Sequence, residues 1–119
     1  MRIRKSQMEA LSRSVRKRFE DRVVAHLHEC FPDDCLAMGE QAVREMVQAG
    51  IARAEGYGLS AEYDVVRYVD LMVVRGRDFD TSPRTPWAAP ILRDPDLHPT
   101  TKMDRLYEQA EKAEDAAGD

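Results

Sequence analysis

SAEYDVVRYVDLMVVRG, residues 60–76, reads as one helix with its start and stop written into it. Ser60 is a natural N-cap, Glu62 places a negative charge in the first turn, and Gly76 suits the left-handed position just past the last turn. Between them lie Val65, Val66, Tyr68, Val69, Leu71, Met72, Val73 and Val74. At 100° per residue Asp64, Arg67 and Asp70 share one narrow strip, and apolar side chains take nearly all the rest. A helix that is apolar over most of its circumference must be covered on several sides. The stretch is therefore expected to be the central helix of a small all-α bundle. It is too short and too charged to span a bilayer.

The 119 residues, 43% hydrophobic and 34% charged, fit one globular helical domain over 1–119, with an ordered core over about 6–110. A net charge of −4 argues against nucleic acid as the partner. Charge is unevenly spread. Arg2, Arg4, Lys5, Arg13, Arg16, Lys17, Arg18 and Arg22 outnumber Glu9, Glu20 and Asp21 near the start, whereas the last sixteen residues are acidic. The beginning of the chain lacks the apolar core of a secretory signal, and its acidic residues do not suit a transit peptide, so a cytoplasmic location is expected. Two cysteines, Cys30 and Cys35, fit reduced thiols there.

Working outward from the central helix, four main helices and one short one are expected. Ser6 to Glu9 forms a capping box for a first helix that ends before Pro32. Its apolar positions are Met8, Leu11, Val15, Phe19, Val23, Leu27 and Cys30, and at 1.5 Å per residue one end should project beyond the core. Arg22 lies within the apolar sector by angle, so it either snorkels to the edge or pairs with a carboxylate such as Asp70 or Asp78, and pairing with Asp70 is the expected resolution. Pro32-Asp33-Asp34 reads as a turn. A second long helix spans about 39–55, closed by Gly56 and Gly58. Thr85-Pro86 reads as the cap and first residue of a short helix through Leu92, and Thr101 to Asp104 as a capping box for the last helix, through about Ala113. Residues 111–119 have little to bury and are expected to fray.

Several groups of residues have the chemistry of a functional site. His26, His28, Glu29, Cys30 and Cys35 carry metal-ligand chemistry, and His26 and Cys30 share a helix face, but the spacing matches no established zinc pattern, and the favoured reading has Cys30 in the core, Cys35 packed under the turn and the two histidines flanking the stripe. Asp70, Asp78, Asp80 and His98 could form an acid/base or metal site, yet Arg67, Arg75, Arg77 and Arg84 are close enough to pair with the carboxylates. There is no phosphate-binding glycine loop, nucleophile elbow or HExxH. A helix-turn-helix around 56–60 would place valines, not groove-reading side chains, on its second helix. Phe79 and Trp87 lie in an irregular segment rich in proline and charge, as lids over the bundle or as anchors for a partner.

Taken together, Arg18-Phe19-Glu20, His26-Leu27, Phe31-Pro32, Tyr57-Gly58, Asp64-Val65, Arg67-Tyr68, Asp70-Leu71-Met72, Gly76-Arg77-Asp78-Phe79-Asp80, Pro86-Trp87 and Lys102-Met103-Asp104-Arg105-Leu106-Tyr107 resemble a group of short bacterial proteins encoded beside type VI secretion cargo and spike genes. The resemblance covers about residues 8–107. It implies an adaptor or co-chaperone that helps load a toxic effector by binding, without catalysis, metal or other cofactor. On this reading the partner is another protein, met by Arg77, Asp78, Phe79, Asp80 and Trp87, with Phe79 and Trp87 as anchors. Two other readings stand beside it: an immunity protein that offers its acidic tail to a basic toxin, and a small metal-dependent enzyme built on the Asp and His residues.

Overall fold

Proline and glycine punctuation cuts the chain into six helices in the computed structural model, which describes the backbone of residues 5–117 and the side chains of residues 13–114. They are α1 (Lys5–Cys30), α2 (Pro32–Met38), α3 (Glu40–Gly56), α4 (Glu62–Arg75), α5 (Ala88–Leu92) and α6 (Pro99–Ala117). No strand occurs among the described residues, so the architecture is the expected all-α helical bundle. The chain falls into two compact units, Met1–Gln48 and Ala49–Asp119, with α3 running from one into the other.

In the first unit α1 stops where the sequence requires. Phe31 leaves helical geometry at φ −133°, as a residue before proline tends to. Pro32-Asp33-Asp34, expected as a turn, is instead the first turn of α2. Proline lacks only a donor that has no partner at a helix start, and the two aspartates sit at the positive end of the helix dipole. Val23, Val24, Leu27, Cys35, Val43, Met46 and Val47 are buried. Arg44 ties α3 to α1, with its Nη1 2.7 Å from Glu20 Oε1 and 2.9 Å from Asp21 Oδ1, while Gln48 donates to Glu20 at 3.0 Å. The apolar stripe of α1 does not bury along its whole length. Residues 13–18 are exposed on every side, Val15 among them, so the helix stands clear of the core there. Cys30 is exposed rather than packed. The Ser6–Glu9 capping box involves side chains outside the described residues.

In the second unit α3 and α4 approach closely at Gly50. A Cβ there would lie 2.7 Å from Met72 Sδ and 2.9 Å from Val69 Cγ2. The reversal between them is a Schellman motif: Leu59 N–H donates to Ala54 O (2.9 Å), Gly58 N–H to Glu55 O (3.0 Å), and Gly58 has φ +87°. Ala54 and Leu59, both fully buried, supply the apolar contact this motif favours. With Leu59 pinned, helical geometry resumes only at Glu62. The N-cap is therefore Ala61, without a side-chain bond, and not Ser60. Gly76 has φ +112° and ψ 148°, a positive-φ conformation that favours glycine but lies outside the left-handed helical well, and its N–H still closes on Met72 O at 3.1 Å.

Val65, Tyr68, Val69, Leu71 and Met72 of α4 are buried with Phe79, Ala88, Leu92, Met103, Leu106 and Ala110. The polar strip does not simply face water: Asp64 is buried, and Thr100 Oγ1 donates to its Oδ2 at 2.8 Å. Thr85 is not the cap of α5. It is buried with its hydroxyl on Phe79 O, and α5 begins after Trp87. Pro90 lies in the first turn of α5, where its missing donor costs nothing. α6 starts at Pro99, ahead of the expected capping box, because His98 Nδ1 accepts the Thr100 N–H (3.1 Å). It continues to Ala117 through residues expected to fray. Arg75 donates to Ala110 O and lies 3.9 Å from Glu114, so a cation and a carboxylate from the two helices meet along that turn.

Candidate binding surface

The segment after Gly76 is held down along its length. Arg53, from the last turns of α3, donates to Arg77 O (2.8 Å), lies 2.8 Å from Asp78 Oδ1 and 3.6 Å from Asp80 Oδ1. Tyr57 donates its hydroxyl to Asp80 Oδ2 at 2.7 Å. Phe79 N–H reaches Gly76 O and Thr81 N–H reaches Asp78 O, so the backbone turns tightly here. Phe79 is 0% exposed, with its ring 5.0 Å from that of Tyr68. It therefore fastens the segment to the core, in place of the partner anchor expected from the sequence. Asp80 is buried as well. Arg77 and Asp78 are exposed, Asp78 bound to Arg53, and Trp87 is half-buried.

Behind this segment lies a cluster of polar side chains. Burial, then the negative charge of Asp80, holds the Tyr68 phenol well above its ordinary range, and burial with the Asp80 hydrogen bond raises that of Tyr57. Both are kept protonated. The buried Lys102 donates Nζ to Leu92 O (2.9 Å) and Tyr57 O (3.0 Å). Cation, carboxylate and Tyr57 hydroxyl are thus consumed in binding the 57–59 reversal, the 77–80 turn and α5 to one another. Tyr68 OH and Asp80 Oδ1 have no hydrogen-bond partner among the described residues.

The expected Asp and His constellation separates. His98 caps α6, whereas Asp78 and Asp80 face Arg53. Asp70 lies where its charge acts on Tyr107. Arg22 places its guanidinium 5.6 Å from the centroid of the Phe19 ring. Cys30 Sγ is 3.6 Å from His26 Nδ1, as their spacing on one helix face implies, and Cys35 is buried with its thiol pushed up by burial. No group of three or more His, Cys, Asp or Glu is arranged to hold a metal ion among the described residues. Among them too, no helix is long and apolar enough to cross a membrane.

The exposed face of α4 was not legible as a site. Tyr63 is 71% and Val74 57% exposed; eleven residues apart, they fall on one side of the helix, with half-buried Val66, Asp70 and Val73 between. Tyr63 is fixed from behind. The Arg67 guanidinium lies 5.3 Å from its ring centroid and 4.7 Å from that of Tyr107, and 2.9 Å from Asp104. Tyr107 donates to Arg67 O at 2.9 Å, and burial, with the charge of Asp70, pushes its phenol up to about 12. The result is an aromatic side chain on a rigid helix, stacked on an immobilised arginine, with an aliphatic patch three turns away. A polar groove of about 570 Å³ lined by Ile91, Thr101, Asp104, Arg105, Glu108 and Gln109 adjoins the Asp104 side of this cluster. Comparison with protein-family models, with curated proteins and with solved structures gave no match.

Proposed function

We propose that this chain is a non-enzymatic protein-binding module, acting in the cytoplasm as an adaptor or co-chaperone for a type VI secretion effector of the kind its sequence resemblance implies. The observation that carries the binding reading is the Tyr63–Arg67–Tyr107 stack. Tyrosine and arginine dominate the energetics of protein interfaces, and a side chain already held in place loses little freedom on binding. Tyr63 and Val74 are the contacts, replacing the Phe79 anchor, and Asp70 and Arg67 supply the polar rim. The genomic setting and the effector as cargo rest on the resemblance alone.

Affinity purification of the tagged chain from its host, with mass spectrometry of what co-elutes, tests this. A stoichiometric effector or locus-encoded chaperone is expected with the native chain, lost with Tyr63→Ala at unchanged helicity. An immunity role is the second reading, favoured by the exposed Glu108, Glu111 and Glu114 on α6. Co-expression separates the two: an immunity protein rescues cells from the toxin, whereas an adaptor raises effector abundance or export without rescue.

A further inference from the structure

The long exposed side of α1 has no role in the reading above. Val15, Arg18, Arg22, Ala25 and Glu29 follow one another at steps of three and four, which keeps them in one stripe, and all five are exposed. Charge changes sign along it. Arg13, Arg16, Lys17 and Arg18 crowd the N-terminal part, and all are exposed. Glu20 and Asp21 are bound by Arg44 of α3. At the other end lie Glu29 and, four and five residues on, exposed Asp33 and Asp34 in the first turn of α2.

We infer that this stripe is a self-complementary interface on which a second copy of the chain packs with its α1 antiparallel. Parallel pairing would set like charge against like. Antiparallel pairing, with Arg22 beside Ala25 of the second copy, sets Arg18 beside its Glu29 and turns Val15 toward the start of its α2. The two-fold axis repeats each contact, so the assembly closes as a dimer. Ala25 next to the axis is small enough for the helices to approach at an ordinary packing distance of about 8–10 Å. Most of the contact is charged and solvent-accessible, so the dimer is weak and depends on salt.

Sedimentation equilibrium on the full chain tests the pairing at about 20 mM and about 500 mM salt, a range over which the screening length falls several-fold. Association is expected at low salt and at least tenfold weaker at high salt. Arg18→Glu and Glu29→Arg, both at exposed positions, are each expected to weaken it at least tenfold with unchanged circular dichroism. The double variant Arg18→Glu/Glu29→Arg should restore it to within about threefold, since the swap recreates the pair only in the antiparallel register. A chain that stays monomeric at low salt overturns the inference. So does a double variant no better than the singles, or an α1 stripe that captures a different acidic protein while the chain itself remains monomeric.

Discussion

Replacing Lys102 by Met tests how the second unit is held together. Lys102 is 8% exposed, and its ammonium spans two carbonyls that have no helical partner: Tyr57 O, beyond the end of α3, and Leu92 O, in the last turn of α5. Methionine preserves most of the stem's packing and removes both bonds. A hydrogen bond to a charged group contributes about 1.5–3 kcal/mol, and each carbonyl left buried and unpaired costs a further share. Against this, the variant no longer takes an ammonium out of water. The net loss is expected to be about 2–4 kcal/mol, a large part of the stability of a domain this size. By the usual scaling that lowers Tm by roughly 8–15 °C. Urea unfolding followed by circular dichroism measures it, with the midpoint moving and the slope unchanged. A loss below about 1 kcal/mol would refute the reasoning, because it would mean that the carbonyls find other donors and Lys102 is not the fastening.

Other substitutions probe neighbouring contacts. Gly50→Ala should destabilise by about 1–3 kcal/mol, since the new methyl meets the stiff Val69 side chain as well as Met72, whereas Gly56→Ala, with open space around its Cβ position, should stabilise by up to about 1 kcal/mol through helix propensity. Tyr68→Phe deletes a buried hydroxyl that has no partner among the described residues and is expected to be neutral or stabilising by about 1 kcal/mol; Tyr57→Phe strips Asp80 of its bond and should cost about 1–3 kcal/mol, so thermal scans of the pair should shift in opposite senses or differ clearly. Tyr57, Tyr68 and Tyr107 all have raised phenol values in the fold, which favours their protonated forms. Their contribution is fully present below the ordinary value of about 10 and is lost as pH rises through the folded values, about 12 for Tyr107. The urea midpoint should fall above about pH 10, less steeply in Tyr107→Phe.

The helices were legible where apolar periodicity and punctuation agree. Residues 60–76 show a helix on any reading, and Pro32 ends α1 because proline acts through local sterics alone. α2 was hidden because seven residues with one buried side chain, Cys35, leave no period to detect, and a Pro-Asp-Asp start looks the same as a turn. Capping failed for a different reason. Ser60, Thr85 and the Thr101 box all have capping chemistry, but Leu59 and Phe79 act through tertiary packing where α4 and α5 begin, and His98 caps α6 locally through its own ring nitrogen. The site was least legible. Phe79 looks exposed in a stretch of charges and is buried because Arg53 and Tyr57, more than twenty residues away, draw Asp78 and Asp80 down on either side of it. Tyr63 looked like part of a buried helix, and only the meeting of Arg67 with Tyr107 and Asp104 of α6 shows why it is held outward.

The most direct test of the binding reading compares the native chain with Tyr63→Ala and Val74→Asp, both exposed changes on α4, in affinity purification from the host. The account predicts one stoichiometric protein partner with the native chain, depleted at least tenfold in each variant while helicity stays the same. A native chain that elutes without a partner, or a partner retained equally by both variants, would contradict it.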